Sequence, residues 1–211
     1  NLTAAIYTHH HFDHIGGFDD IRGINFSSHK ALPIYLNELT LDNLFRMFSY
    51  AFQDSNETNG GIPLVKVNKI SKGDFHINGL KFTILPLIHG SLRVLGFRIG
   101  NIAYCTDTNF IPESTLSLMT GLKYLVLDGL TISDVHNNKN STEKGGAILK
   151  EKTVANLILK NCIIKDNVSR NDNAGLFAEF DLNNVSGTRG RLTIENSQFI
   201  NNMSRWGTGI Y

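Results

Sequence analysis

Long apolar runs are missing from this 211-residue chain, and so is any excess of one charge. Without eighteen consecutive apolar residues there is no candidate membrane-spanning helix, and no membrane segment is expected. Twenty basic against 19 acidic residues leave a formal charge of +1. That balance removes the electrostatic reason to expect nucleic acid or an anionic bilayer as a bulk partner. Cysteine is scarce. Cys105 and Cys162 lie far apart and form neither a metal-type nor a redox-type pair, so a disulfide framework is not expected. An initiator methionine and a signal-peptide pattern are also absent. Leu2 to Tyr7 read as the middle of a strand and Tyr211 falls inside a repeat, so the chain reads as a piece cut at both ends.

Two textures are present, and they meet near residue 128. Up to Asp128 strands and helices alternate. Leu2–Thr8 and Leu32–Leu36 read as strands, and Glu38–Phe48 carries Leu41, Leu44, Phe45 and Phe48 at helical spacing. Asp54–Gly61 reads as a polar loop. Asn78-Gly79 and Gly100-Asn101 sit between apolar runs and predict two tight hairpins, because these residues tolerate positive φ. Pro112-Glu113 opens a helix through Met119, and Leu122–Leu127 is a further strand. The expected class is a mixed, layered α/β domain.

From Leu125 the chain nearly repeats itself. Leu125–Asp134 aligns with Leu157–Asp166 and Leu192–Asn201, and the segments are followed by Gly146-Ala-Ile, Gly175-Leu-Phe and Gly209-Ile-Tyr. A period of this size fits one solenoid turn per repeat. Asn and Asp at the corners (Asp134, Asp166, Asn201, Asn161, Asn196) suit tight bends and stacked ladders. This part resembles the right-handed parallel β-helix of pectate-lyase-like and polymorphic outer-membrane proteins, over about three coils. The resemblance implies inward-facing Leu157, Leu159, Ile164, Ile194 and Phe199. It also implies a cell-surface or secreted setting. A last coil without a cap after Tyr211 would expose unpaired backbone groups and an apolar end, so self-association as a homo-oligomer is expected.

The chemistry is concentrated in His9-x-His11-x-Asp13-His14. Alternate residues of an extended segment point the same way, so His9 and His11 can grip one ion. Asp13 and His14 lie where the chain turns and can face a second. Imidazole and carboxylate donors without a nearby thiolate suit Zn²⁺, Mn²⁺ or Fe²⁺ in an open site rather than a closed structural zinc site. On the same alternation His10 points away. His29 and His76 have no such context and read as packing or surface residues.

The motif and the segments after it resemble the metallo-β-lactamase superfamily, in particular its cyclic-phosphodiesterase branch. Gly17-Phe-Asp-Asp-Ile-Arg22, Pro33-Ile-Tyr35, Thr40-Leu41, Phe48-Ser-Tyr-Ala-Phe52, His89-Gly90, Gly96-Phe-Arg-Ile99 and Ala103-Tyr-Cys-Thr-Asp-Thr-Asn109 carry the resemblance through nearly all of residues 1–128. It implies a partial αββα sandwich over 1–128, to which the resemblance of the repeat adds a β-helix fragment over 129–211. It implies two divalent metal ions, zinc or manganese, with His89 as the third histidine of the first metal and Asp107 bridging both. Asp13 and Asp107 are the expected catalytic carboxylates. A metal-bound hydroxide attacking a small, cyclic phosphodiester is the expected reaction, in a cytoplasmic hydrolase. Arg98 and Tyr50 are candidate substrate contacts.

The departures are specific. The branch begins with earlier strands that are absent here. It also has a last metal histidine soon after the strand matched by Leu125–Asp128, where this chain reads Gly129-Leu-Thr-Ile-Ser-Asp-Val-His136. His136 is the one remaining candidate. The string Leu-Asp-Gly-Leu fits both resemblances, which suggests two unrelated sequences joined there. Three functions compete: a metal-dependent phosphodiesterase, another hydrolase such as a tRNA 3′-end endonuclease, or a surface β-helix protein carrying an inactive hydrolase remnant. Neutral charge and the lack of a basic insertion count against the second.

Overall fold

The computed structural model describes residues 2–52, 61–129, 131–133, 136–137, 148–150, 156–172, 176–178 and 191–206. Residues 54–60 of the loop expected at Asp54–Gly61 and the repeat positions Asp134, Gly146, Gly175 and Gly209–Tyr211 lie outside them. The chain forms two compact units, Asn1–Ile84 and Leu85–Tyr211.

In the first unit β1 (Ala5–Ile6) leads through a histidine-rich turn into α1 (Phe12–Ile15) and α2 (Ile21–Ser28). Then come β2 (Leu32–Leu36), α3 (Glu38–Met47) and β3 (Val65–Lys69). β1, β2 and β3 form a parallel sheet with β2 in the middle. β2 alternates between buried Leu32, Ile34 and Leu36 and half-buried Pro33 and Tyr35, as a strand with one core face must. Asn37 caps α3 by accepting from the Thr40 amide at 2.8 Å. The helix then sends Leu41 and Leu44 into a core with Ile15, Phe18, Ile21 and Ile34. β4 (Asp74–Ile77) and the start of β5 (Leu80–His89) form the hairpin expected at Asn78-Gly79, with φ of +49° and +79° at the turn.

The second unit takes in the rest of β5, then β6 (Leu92–Ile99), β7 (Ile102–Thr106), α4 (Glu113–Leu118) and β8 (Tyr124–Asp128). β6 and β7 are the second expected hairpin, antiparallel across Gly100. Gly96 is required by space: a Cβ there would meet Leu87 Cδ1 at 2.8 Å and the Tyr104 carbonyl at 2.9 Å. Short strands complete the unit: β9 (Thr131–Ser133), β10 (His136–Asn137), β11 (Ile148–Lys150), β12 (Asn156–Lys160), β13 (Ile163–Lys165), β14 (Val168–Asp172), β15 (Leu176–Ala178), β16 (Leu192–Glu195), β17 (Gln198–Ile200) and β18 (Met203–Trp206).

These strands pair in parallel with their counterparts in the next repeat. Leu157 lies opposite both Leu125 and Leu192, and Ile164 opposite both Ile132 and Phe199. Those registers are the ones the sequence alignment predicts. The β11–β15 pairing differs. Ile148 lies opposite Leu176 rather than Phe177, one residue from the alignment on Gly146 and Gly175. Leu176 is fully buried, and a one-residue slip would turn that face outward.

Among the described residues the strand pairing is continuous on both sides of residue 128. β8 pairs in parallel with β7 on one side and β12 on the other. One core runs from Leu85, Leu87 and Val94 through Cys105 and Leu127 to Leu157, Leu159, Cys162 and Ile164. Ile194 and Phe199 are half-buried against it. Among the described residues no helix is long and apolar enough to cross a membrane.

Candidate metal centre

The residues of the histidine motif belong to the first unit. The Tyr7 amide donates to the Tyr35 carbonyl at 2.8 Å, which prolongs the strand pairing past β1. His11 is still extended (φ −63°, ψ 149°), and the amides of His14 and Ile15 both donate to its carbonyl. His9 and His11 therefore leave an extended segment, and Asp13 and His14 leave the first helical turn. Fully buried Ile15 and Phe18 anchor that turn in the core.

The three imidazoles are packed together. The His9 ring lies 4.6 Å from that of His11, edge to face, and 4.1 Å from that of His14. Ligand-type atoms of His9 and His11 lie within 4.8 Å of each other, as do those of Asp13 and His14. Buried Thr8 shares hydrogen bonds with Nδ1 of His9 at 3.1 Å and Nδ1 of His14 at 3.4 Å. One hydroxyl thus orients two rings, and Nε2 is the atom each can offer to an ion. In the sequence Thr8 is marked only by its place directly before the first histidine.

His10 is half-buried, and its Nδ1 has no hydrogen-bond partner among the described residues. Burial, then the neighbouring His11, pushes its pKa down. His29 is exposed and ends α2 in the left-handed region, and His76 is exposed on β4. Neither joins a group of potential ligands among the described residues.

In the second unit His89 is the last residue of β5 and Asp107 directly follows β7. The segment after Asp107 is clamped to the end of β5. Thr108 Oγ1 and the Asn109 amide donate to the Ile88 carbonyl at 2.8 and 2.9 Å, and the Gly90 amide donates to Asn109 Oδ1 at 2.7 Å. His89 and Asp107 thereby come to offer ligand-type atoms within 4.8 Å of each other. Asp107 itself is left-handed (φ +50°). Its amide donates to the Asp128 carbonyl at 3.0 Å and its Oδ1 accepts from Thr106 Oγ1 at 3.3 Å.

The two candidate substrate contacts are engaged locally. Arg98 donates to the carbonyls of Gly100 at 2.7 Å, Thr120 at 2.9 Å and Leu118, which ties the end of α4 to the β6–β7 turn. Tyr50 donates to Asp19, which pairs with Arg22 at 3.1 Å. The bond to Asp19 raises the Tyr50 pKa. The backbone of His136 pairs with Val168; the ligand role considered for its side chain lies outside the described residues.

In each unit the imidazole and carboxylate donors are of the kind that suits a divalent transition ion, and both cysteines are buried away from them. Residues 1–155 match the model of a beta-lactamase superfamily domain. The chain is 32% identical over 146 residues to a protein of Porphyromonas gingivalis named octanoyltransferase, covering 68% of this chain and 29% of that protein. A crystal structure of a new diphosphatase from the PhnP family aligns at 35% identity and a TM-score of 0.53, over 61% of this chain and 48% of the other. The metallo-beta-lactamase fold protein YhfI from Bacillus subtilis shares the fold at 18% identity and a TM-score of 0.50, over 76% and 64%. The chain thus spans under a third of its curated relative and about half of the diphosphatase. With the match running from residue 1 to residue 155, this chain belongs to the beta-lactamase superfamily domain family.

Proposed function

We propose that the chain carries the site of a metal-dependent phosphoester hydrolase acting on a small, cyclic phosphodiester. In this reading the metal ligands are His9, His11, Asp13 and His14 of the first unit and His89 and Asp107 of the second. The observation that carries it is the donor set: ligand-type atoms of His9 with His11, Asp13 with His14, and His89 with Asp107, each pair within 4.8 Å. The likeness to a diphosphatase at 35% identity supports phosphorus as the centre attacked. When bound, the ions supply Lewis acidity to a phosphoryl oxygen and make water a nucleophile near neutral pH. The protein's own part is orientation: Thr8 holds two rings through Nδ1, and the clamp around Asn109 holds His89 and Asp107.

The test strips the purified chain with chelator and reloads it with Mn²⁺ or Zn²⁺. Elemental analysis should find two equivalents, and bis-p-nitrophenyl phosphate should be hydrolysed only by reloaded protein. Asp107→Ala should retain less metal than the unaltered chain. No retained metal after reloading would reject the reading. Retained metal without turnover would favour the alternative, a structural repeat protein carrying a silent hydrolase remnant.

The strands after β8 are read as coils of a parallel β-helix sharing β8 with the hydrolase part, at a division near residue 128. Support comes from the parallel pairing of β8, β12 and β16 and of β9, β13 and β17. An experimental structure with β12 and β16 antiparallel would overturn it.

A further inference from the structure

In the second unit four parallel strand ends lie in one register: Thr106 opposite Asp128, Asp128 opposite Lys160, and Lys160 opposite Glu195. The next residue along each strand is left-handed: Asp107 at φ +50°, Gly129 at +66°, Asn161 at +51° and Asn196 at +49°. Each of the first three donates its amide across the column at 3.0 Å, Asp107 to Asp128, Gly129 to Lys160 and Asn161 to Glu195. Asp107 is therefore the first corner of a column that continues through the repeat strands.

Three of these corners are Asp or Asn, the side chains that best tolerate positive φ. The left-handed backbone therefore does not by itself call for glycine at 129. Space does. A Cβ on Gly129 would fall on Asp107 Oδ1, with Asp107 Cγ at 3.6 Å and Thr106 Oγ1 at 3.8 Å. Gly90 and Gly100 have similar φ, +62° and +57°, yet nothing lies within 4 Å of a Cβ on either. The Asp107 carboxylate rests on the bare face of Gly129.

We infer that Gly129 is a positioning residue for the metal centre, seating the Asp107 carboxylate where it serves as ligand. The inference rests on the metal-centre reading above. Any side chain at 129 displaces that carboxylate. Losing a group that orients a ligand typically weakens metal binding by about 10–100-fold.

Zinc affinity of the full chain, measured by competition with a chromophoric chelator, tests this. Gly129→Asn keeps a residue suited to the left-handed corner, as at Asn161 and Asn196, and should still lose about 10-fold or more. Gly100→Ala imposes comparable backbone strain in open space and should bind as the unaltered chain does. Wild-type affinity in Gly129→Asn, or an equal loss in Gly100→Ala, overturns the inference. Failure of the unaltered chain to bind zinc overturns the underlying reading instead. A second arm uses thermal midpoints of chelator-treated protein, which need no metal. The loss caused by Gly129→Ala should shrink in an Asp107→Ala background. An equal loss in both backgrounds, or no folding in either, shows that the effect does not pass through Asp107 and overturns the proposal.

Discussion

In the amino-terminal unit the ligand-type residues come from one short segment, His9 to His14, where an extended chain turns into a helix. In the carboxyl-terminal unit His89 and Asp107 stand a hairpin apart, at the ends of β5 and β7. The first group is arranged by local backbone geometry and one hydroxyl, that of Thr8. The second depends on pairing, because the left-handed corner at Asp107 is fastened to β8 and β8 to β12. A local group should tolerate distant damage. A group held by strand pairing should not.

The largest expected effect tests that difference. Leu159 on β12 is fully buried in the core that includes Cys105 and Leu127. Leu159→Ala should cost about 2–5 kcal/mol of stability in urea titrations. A loss below about 1 kcal/mol would mean that the repeat strands do not share a core with β7 and β8.

Alkaline pH should strain the same core next. Burial pushes the Cys105 thiol from its ordinary 9.0 up to about 12. A raised pKa means the folded state holds its proton longer. Its contribution is therefore complete below pH 9 and is lost as pH rises toward 12. At an intermediate alkaline pH the loss should reach about 2 kcal/mol relative to neutrality. Cys105→Ala should remove that component from the pH dependence of urea midpoints, and an unchanged dependence would assign it elsewhere. Tyr7, buried in the first unit and also raised to about 12, makes a second contribution that absorbance of the ionised phenol would follow.

A smaller effect sharpens the local half of the comparison. Thr8→Val removes the hydroxyl shared by two histidines and should weaken metal binding about 10-fold, with little change in the melting midpoint. Undiminished affinity would show that the rings are oriented without it. The smallest effect is at the surface. Lys69 and Glu38 pair at 2.7 Å with both side chains more than half exposed, and Lys69→Ala should change stability by about 0–1 kcal/mol.

Much of this was legible in the residues. The histidine motif stands where the sequence puts it, the hairpins at Asn78-Gly79 and Gly100 form, and the repeat alignment gives the pairing of β8, β12 and β16. Other features depended on partners distant in sequence. Leu2–Thr8 reads as one strand, yet only Ala5–Ile6 is strand, because the chain past Tyr7 leaves β2 for the turn that presents the histidines. The end of α4 is fixed by a distant residue, because the Arg98 guanidinium donates to three carbonyls, two of them near that end.

By itself the sequence determined what nearest neighbours along the chain can encode. That includes donor types in alternation, turn residues that accept positive φ, and a repeat period that brings like residues into register. Only the tertiary structure decided which residue stands across from which outside the repeat, as between β7 and β8. The glycine at 129, one more flexible residue in a string, becomes the floor beneath Asp107 because β7 and β8 run parallel with Thr106 opposite Asp128. Register of that kind comes from burying one face of each strand against others far away in sequence, a choice no local pattern contains.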